Sequence, residues 1–156
     1  MTIQWLLKSF NELNAHQLYA ILQLRNEVFV VEQNCVFQDA DDKDQLSFHL
    51  MGLRDNQLIA YTRIVPPGVI YKEASIGRVV TSHSVRGSGA GKELMQQSIE
   101  SIYELFGKTA IKIGAQVYLQ KFYEELGFEK CSDLYLEDDI PHIHMIKLFI
   151  VDLRSV

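Results

Sequence analysis

Cysteine is scarce in this chain of 156 residues: Cys35 and Cys131 are the only two. Two thiols cannot build the multi-bridge framework that holds a small secreted domain together. The opening MTIQWLLKSF has no basic leader ahead of its short apolar run, so it does not read as an export signal. The expectation is a cytoplasmic protein with reduced thiols. Proline is almost missing, with three residues, and no stretch is low in complexity, which argues against extended linkers or disorder. No apolar run approaches the ~18 residues of a membrane-spanning helix, so no membrane partner is expected. Positive charge is in deficit as well, 15 Lys and Arg against 20 Asp and Glu for a net charge of -5. Nucleic-acid binding calls for Lys and Arg clustered on one face, and that partner is not expected either.

What is present suits a globular domain: 47% of residues are hydrophobic and 22% charged. A chain of this length buries roughly two-thirds of the surface its unfolded form exposes, so one domain over residues 1–156 is expected. Residues 3–8 read as a first strand. From Asn14 an apolar stripe through Leu18, Ile21, Leu22, Val28 and Phe29, with Arg25 among them, predicts one amphipathic helix to about residue 33, capped by Asn14. The acidic QDADDKD that follows lacks the glycine and closing glutamate of a calcium loop and reads as a solvated loop. FHLMGLR and QLIAYTRIV alternate around Asp55 and Asn56 as a hairpin. A strand at 74–81 leads into a glycine-rich stretch and a helix that Gly107 ends; a strand at 109–115, a short helix ended by Gly127, and strands near 128–135 and 143–151 follow.

The stretch VRGSGAGKELM is the most informative. As a P-loop it fails twice, because Arg86 stands where the first glycine belongs and Glu93 replaces the metal-binding hydroxyl. As a dinucleotide fingerprint it fails too, with glycines at 87, 89 and 91. It remains a strand running through glycines into a helix. That is either a tight turn or a cradle whose unpaired first-turn amides and positive helix end suit a pyrophosphate.

RGSGAG at 86–91 fits the acyl-CoA-binding pattern R/Q-x-x-G-x-G/A, with VVT at 79–81 on the strand before it, and FYEELGF at 122–128 carries a tyrosine four residues before Gly-Phe. In these two motifs the chain resembles the GNAT superfamily of N-acetyltransferases. The segments LYAILQLRNEVFVVEQNC, QDADDKD, IGRVV, LQKFYEELGF and IPHIHM extend the resemblance, over nearly the whole chain, to its ElaA-type group. The resemblance implies an α/β (α+β mixed) GNAT fold. Its central sheet would be mixed and largely antiparallel, with six to seven strands and about four helices, splayed between the strands at 74–81 and 109–115. It also implies acetyl-CoA as cosubstrate, no metal, and transfer to the amine of a small molecule or peptide, and it leaves a homodimer open. Two other functions remain in view: an acyl-homoserine-lactone-synthase-like acyltransferase, suggested by RNEVF and YTRIVP, and a sensor that binds acyl-CoA without catalysis.

The resemblance assigns cofactor binding to Val79, Val80, Thr81, Arg86, Gly87, Ser88, Gly89, Ala90, Gly91 and Lys92. Tyr123 is the candidate general acid, since a phenol of pKa ~10 is protonated at neutral pH and can donate to a thiolate; the alternative is an aromatic on an apolar helix face. Glu27 is the candidate base, with Glu32 nearby. Arg78, a cation on an apolar strand, is either a contact to an anionic substrate or half of an internal pair, Glu27 being the expected partner. His83 is expected in a turn, His49 half-buried, and His142 and His144 on one strand face without a third ligand for a metal.

Overall fold

The computed structural model describes residues 2–149. Strand β1 (Gln4–Ser9) leads to helix α1 (Ala15–Arg25), then to β2 (Phe48–Arg54), β3 (Gln57–Val65) and β4 (Ser75–Thr81). Helix α2 (Ala90–Phe106), β5 (Ile111–Gln116), α3 (Gln120–Glu125), β6 (Glu129–Lys130), β7 (Tyr135–Glu137) and β8 (Ile140–Lys147) complete it. Among the described residues eight strands appear where six to seven were expected, and three α-helices where about four were. The last two expected strands resolve into two short ones, β6 and β7, and the eight-residue β8. The expected strand end at 150–151 lies outside the described residues.

The strands form two half-sheets, β1-β2-β3-β4 and β5-β8-β6, with β7 also on β8. All pairings within them are antiparallel. Among the described residues they touch at one parallel bridge between Ala74 and Ile111, where the Lys112 amide donates to the Ala74 carbonyl at 2.9 Å. Beyond it β4 and β5 part, as expected for the strands at 74–81 and 109–115.

Local chemistry explains several elements. Asn14 caps α1 by accepting from the Gln17 amide, while Gln17 reaches back to the Asn14 amide, the reciprocal arrangement of a capping box. Asp55 and Asn56 both adopt positive φ, 52° and 62°, the pair a tight hairpin turn requires. Gly107 ends α2 at φ 86°, a conformation that costs a residue with a Cβ. The one long helix expected from Asn14 does not continue as such. After Arg25 it widens into a π-helical segment, Asn26–Glu32, whose i to i−5 bonds run from Gln33 to Val28 and from Cys35 to Val30.

The core has two principal layers. On one face of the first half-sheet Ile21, Leu24 and Val28 pack on Met51, Tyr61 and Val80. On the other, Leu94, Met95, Ile99 and Ile102 of α2 pack on Leu50, Ala60, Ile64 and Ile76, and the same layer continues through Ile113, Ala115, Ile143 and Met145 to Tyr123 and Phe128. The shared apolar layer therefore joins half-sheets that have stopped sharing hydrogen bonds.

The acidic segment is not a solvated loop. Asp39 and Asp44 hold Arg25 at 2.8 and 2.7 Å, Asp41 and Asp44 hold Arg63 at 2.7 and 3.1 Å, and Asp39 holds Arg78 at 2.7 Å. Arg25 and Arg63 are fully buried. Burial works against charge on Asp44 and Asp41, but the bonds from Arg25 and Arg63 outweigh it and hold both carboxyls well below the usual carboxylate range. His49, expected to be half-buried, is fully buried. It lies within 2.7 Å of the Tyr61 hydroxyl and 2.9 Å of the Asp44 carbonyl, and burial lowers its pKa.

Two predictions follow from this network. Asp44→Asn leaves two buried guanidinium groups short of charge and should destabilise the fold by about 3–5 kcal/mol, read as a lowered urea midpoint. Asp41 and Asp44 have folded pKa values below their unfolded ones, so their stabilisation is present above pH ~4 and lost as pH falls through and below it. His49, kept neutral in the fold, adds a loss that begins near pH ~6.5. Urea midpoints taken from neutral pH down to pH ~3 should fall steadily; a flat profile would contradict the network's role.

Candidate active site

The parting of β4 and β5 opens a cleft of about 790 Å³, lined by Ile76–Thr81 on one wall and by Ile113, Gly114 and Gln116 on the other. One feature of β4 shapes it. Register across β3 and β4 runs from Tyr61–Val80 to Arg63–Gly77, so Arg78 and Val79 both stand opposite Thr62. This is a β-bulge, which bends its strand and breaks the ladder. Arg78 takes a left-handed φ of 50°, a conformation that costs a non-glycine residue roughly 1–3 kcal/mol. Its guanidinium offsets that cost: Nε lies 2.7 Å from the Asp39 carboxylate, and Nη2 donates to the Asp39 carbonyl at 2.9 Å and lies 3.4 Å from Asp41. The partner expected from the sequence, Glu27, is replaced by the acidic loop. Arg78 lines the cleft, but its charge is already met.

β4 is the edge of its half-sheet, so Val79, Val80 and Thr81, all lining the cleft, present an edge to which no strand is paired among the described residues. At its end the chain passes through a turn containing His83, at residues 83–85, into the glycine loop. Gly87 and Gly89 have φ of 79° and 87°, with no heavy atom within 4 Å of where a Cβ would stand. Gly89 is the N-cap of α2, so the amides of Ala90, Gly91 and Lys92 belong to the first turn that a helix leaves unpaired. Gly91 lines the cleft; Gly87, Ser88, Gly89 and Lys92 are exposed beside it. The loop is thus open and rimmed with donors. Arg86 crosses the cleft mouth to Glu32 at 2.7 Å, a bond that raises the pKa of Arg86 and lowers that of Glu32. The π-helical segment is what carries Glu32 to this position.

Tyr123, on α3, is buried, with rings of Phe122 and Phe128 edge-on at 5.2 and 6.0 Å. It nevertheless lines the cleft, and among the described residues its hydroxyl has no hydrogen-bond partner. Burial, with Tyr118 a smaller contributor, raises its pKa, so the phenol holds its proton across the physiological range. A protonated hydroxyl without a partner, opening on a cleft, can donate to a developing anion.

Glu27 is exposed and is not among the residues that line the cleft. His142 and Glu137 do line it. His142 and His144 share a strand face, as expected, and there both meet the Tyr135 ring, at 5.7 and 4.7 Å. Glu137 carried no signal in the sequence: it stands across the turn between β7 and β8, and its 3.3 Å approach to His142 depends on that turn. Among the described residues no group of three or more His, Cys, Asp or Glu is placed to hold a metal ion, and no helix is long and apolar enough to cross a membrane.

Residues 20–149 match the family described as acetyltransferase (GNAT) domain. The chain is 42% identical to a UPF0039 protein of Synechocystis over 94% of its own length and 96% of the relative's. It is 40% identical to protein ElaA of Escherichia coli, over 93% and 96%. Among solved structures, an acyl-CoA N-acyltransferase from Pseudomonas aeruginosa superposes with TM-score 0.90 at 42% identity, covering 94% of this chain and 99% of that one. An aminoglycoside 6'-N-acetyltransferase complexed with coenzyme A, 15% identical, has TM-score 0.70 over 94% and 98%, a likeness of fold.

Proposed function

The chain belongs to the GNAT acetyltransferase family, and from that premise we propose that it transfers an acetyl group from acetyl-CoA to a primary amine of a small molecule or peptide, which attacks the thioester directly. The observation that carries this reading is that one cleft joins an unpaired strand edge, a glycine-rimmed helix N-terminus and the free hydroxyl of Tyr123.

Each feature has a task in that reaction. The edge at Val79, Val80 and Thr81 receives the amide-bearing pantetheine arm as an added strand. The amides of Gly87 and of Gly89 to Lys92 take the pyrophosphate, the Ser88 amide being spent on the Val85 carbonyl, and the glycines let it approach closely. Lys92 adds positive charge at the same end, and Arg86 can join it by giving up Glu32. A backbone amide of Val80 or Thr81 faces the thioester oxygen and stabilises the charge that gathers there. Tyr123 gives its proton to the departing thiolate. Arg78, already paired, serves the bulge that frees the edge, and an anionic acceptor finds no uncompensated arginine in this wall.

Tyr123→Phe keeps the ring and removes the proton. It should leave acetyl-CoA affinity within a few-fold and cut thiol release at least ~10²-fold; an unchanged turnover would dismiss Tyr123 as the acid. Gly89→Asp places a carboxylate and a strained φ in the loop, and calorimetry should find acetyl-CoA binding abolished. Normal binding by that variant would remove the loop from the site. A wild-type protein that binds acetyl-CoA and releases no thiol with any amine would instead be a sensor, and a product active in a lactone-signal reporter would favour the synthase-like alternative.

A further inference from the structure

We propose that His142, held through Nδ1 by the Ile140 carbonyl, is the base that takes the proton from the acceptor ammonium; this rests on the acetyl-transfer reading. An amine is protonated at neutral pH and attacks only after losing a proton, so the acceptor side of the cleft needs a group able to receive one. Glu27 is exposed outside the cleft. Asp41 and Glu32 are engaged by arginines at 2.7 Å each. His142 differs from all three. It lines the cleft and is 7% exposed. Its Nδ1 lies 2.7 Å from the Ile140 carbonyl, and a carbonyl can only accept, so Nδ1 must carry hydrogen. The proton-accepting atom is therefore Nε2, which stands 3.3 Å from Glu137 Oε2. Tyr135, stacked on the ring at an interplanar angle of 27°, fixes its plane.

The two candidate proton carriers lie on opposite faces of one half-sheet. Ile143 and Met145 of β8 share the apolar layer with Tyr123, whereas His142 and His144, which alternate with them, face the other way against Tyr135. The amine then approaches from the His142 face and the thiolate leaves on the Tyr123 face. The protons balance. One of two shed by the ammonium passes to His142 Nε2 and on to solvent past Glu137, which is 61% exposed. As the new C–N bond forms and the C–S bond breaks, Tyr123 protonates the thiolate; the second nitrogen proton restores the phenol.

Titratable neighbours that face the imidazole are Glu137 and Tyr135 on β7 and His144 on its own strand, with uncharged Gln116 paired on β5. Burial pushes Tyr135 up to about 12 and lowers His144, so Glu137 is the neighbour whose charge acts on His142 at neutral pH. The test uses the full-length protein, with thiol release from acetyl-CoA followed at neutral pH for spermidine, lysine amide and hydroxylamine. With the strongly basic amines His142→Gln should lower kcat/KM ~10²-fold. Hydroxylamine, largely unprotonated at neutral pH, should be spared most of the His142→Gln loss. A folded His142→Gln protein that keeps the wild-type rate with the basic amines overturns the base while leaving acetyl transfer standing. A wild type that binds acetyl-CoA and turns over none of the amines overturns both. Histidine-ring NMR of the resting protein gives a reading independent of turnover: an Nδ1–H tautomer is expected, and an Nε2–H tautomer overturns the assignment.

Discussion

Three arginines carried by α1, β3 and β4 share three aspartates of one loop, and the rest of the molecule is arranged around that exchange. Arg25 and Arg63 are buried charges that no apolar layer would tolerate alone. Asp44 lies between them, accepting at 2.7 and 3.1 Å, and its own carbonyl reaches His49. The loop is thereby drawn against the sheet face beside the apolar contacts of α1. Arg78, the third arginine, has its backbone held left-handed at the bulge by Asp39. One electrostatic cluster thus packs the first helix and bends the strand that opens the cleft.

The bend matters because a strand edge becomes available only where a partner is denied. β4 and β5 share the bridge at Ala74 and Ile111 and then diverge, while the apolar layer beneath them stays continuous from α2 to α3. Separation of the strands is therefore compatible with a closed core. The cleft has different walls above and below: aromatic and apolar around Tyr123, polar around His142 and Glu137. A reaction that must donate a proton on one side and accept one on the other finds these environments already separated.

Much of this was legible in the sequence where a local rule decides the outcome. Asp55 and Asn56 marked the hairpin, Asn14 and Gly107 marked helix ends, and the glycine spacing with Tyr123 marked the cleft, because turns, caps and spacing act over a few residues. What escaped depends on distance in space. Nothing in NEVFVVE, which has neither glycine nor proline, distinguishes a π-helical segment from a continuing α-helix. The aspartates of QDADDKD looked solvated because their partners lie 14 to 39 residues away. Arg78 was visible as an anomaly, but its left-handed φ was not, since non-glycine residues seldom adopt one. His142 stood out as a histidine; its hydrogen-bearing nitrogen is defined by the Ile140 carbonyl beside the β7–β8 turn.

The unpaired edge of β4 has a consequence for the life of the protein in a crowded solution. Open strand edges are templates for other chains and seed aggregation. This one is recessed in a cleft, bent by a bulge and bordered by the Arg86–Glu32 pair, three devices that make it a poor template for a stranger's backbone. A slender ligand arm passes where a second protein strand cannot. Any small molecule that fills the edge also shields it, and binding selectively to the folded chain adds stability in proportion to RT ln(1 + [L]/Kd). Shelf life and resistance to aggregation would then track ligand supply, so the same open edge links the protein's persistence to the abundance of what it binds.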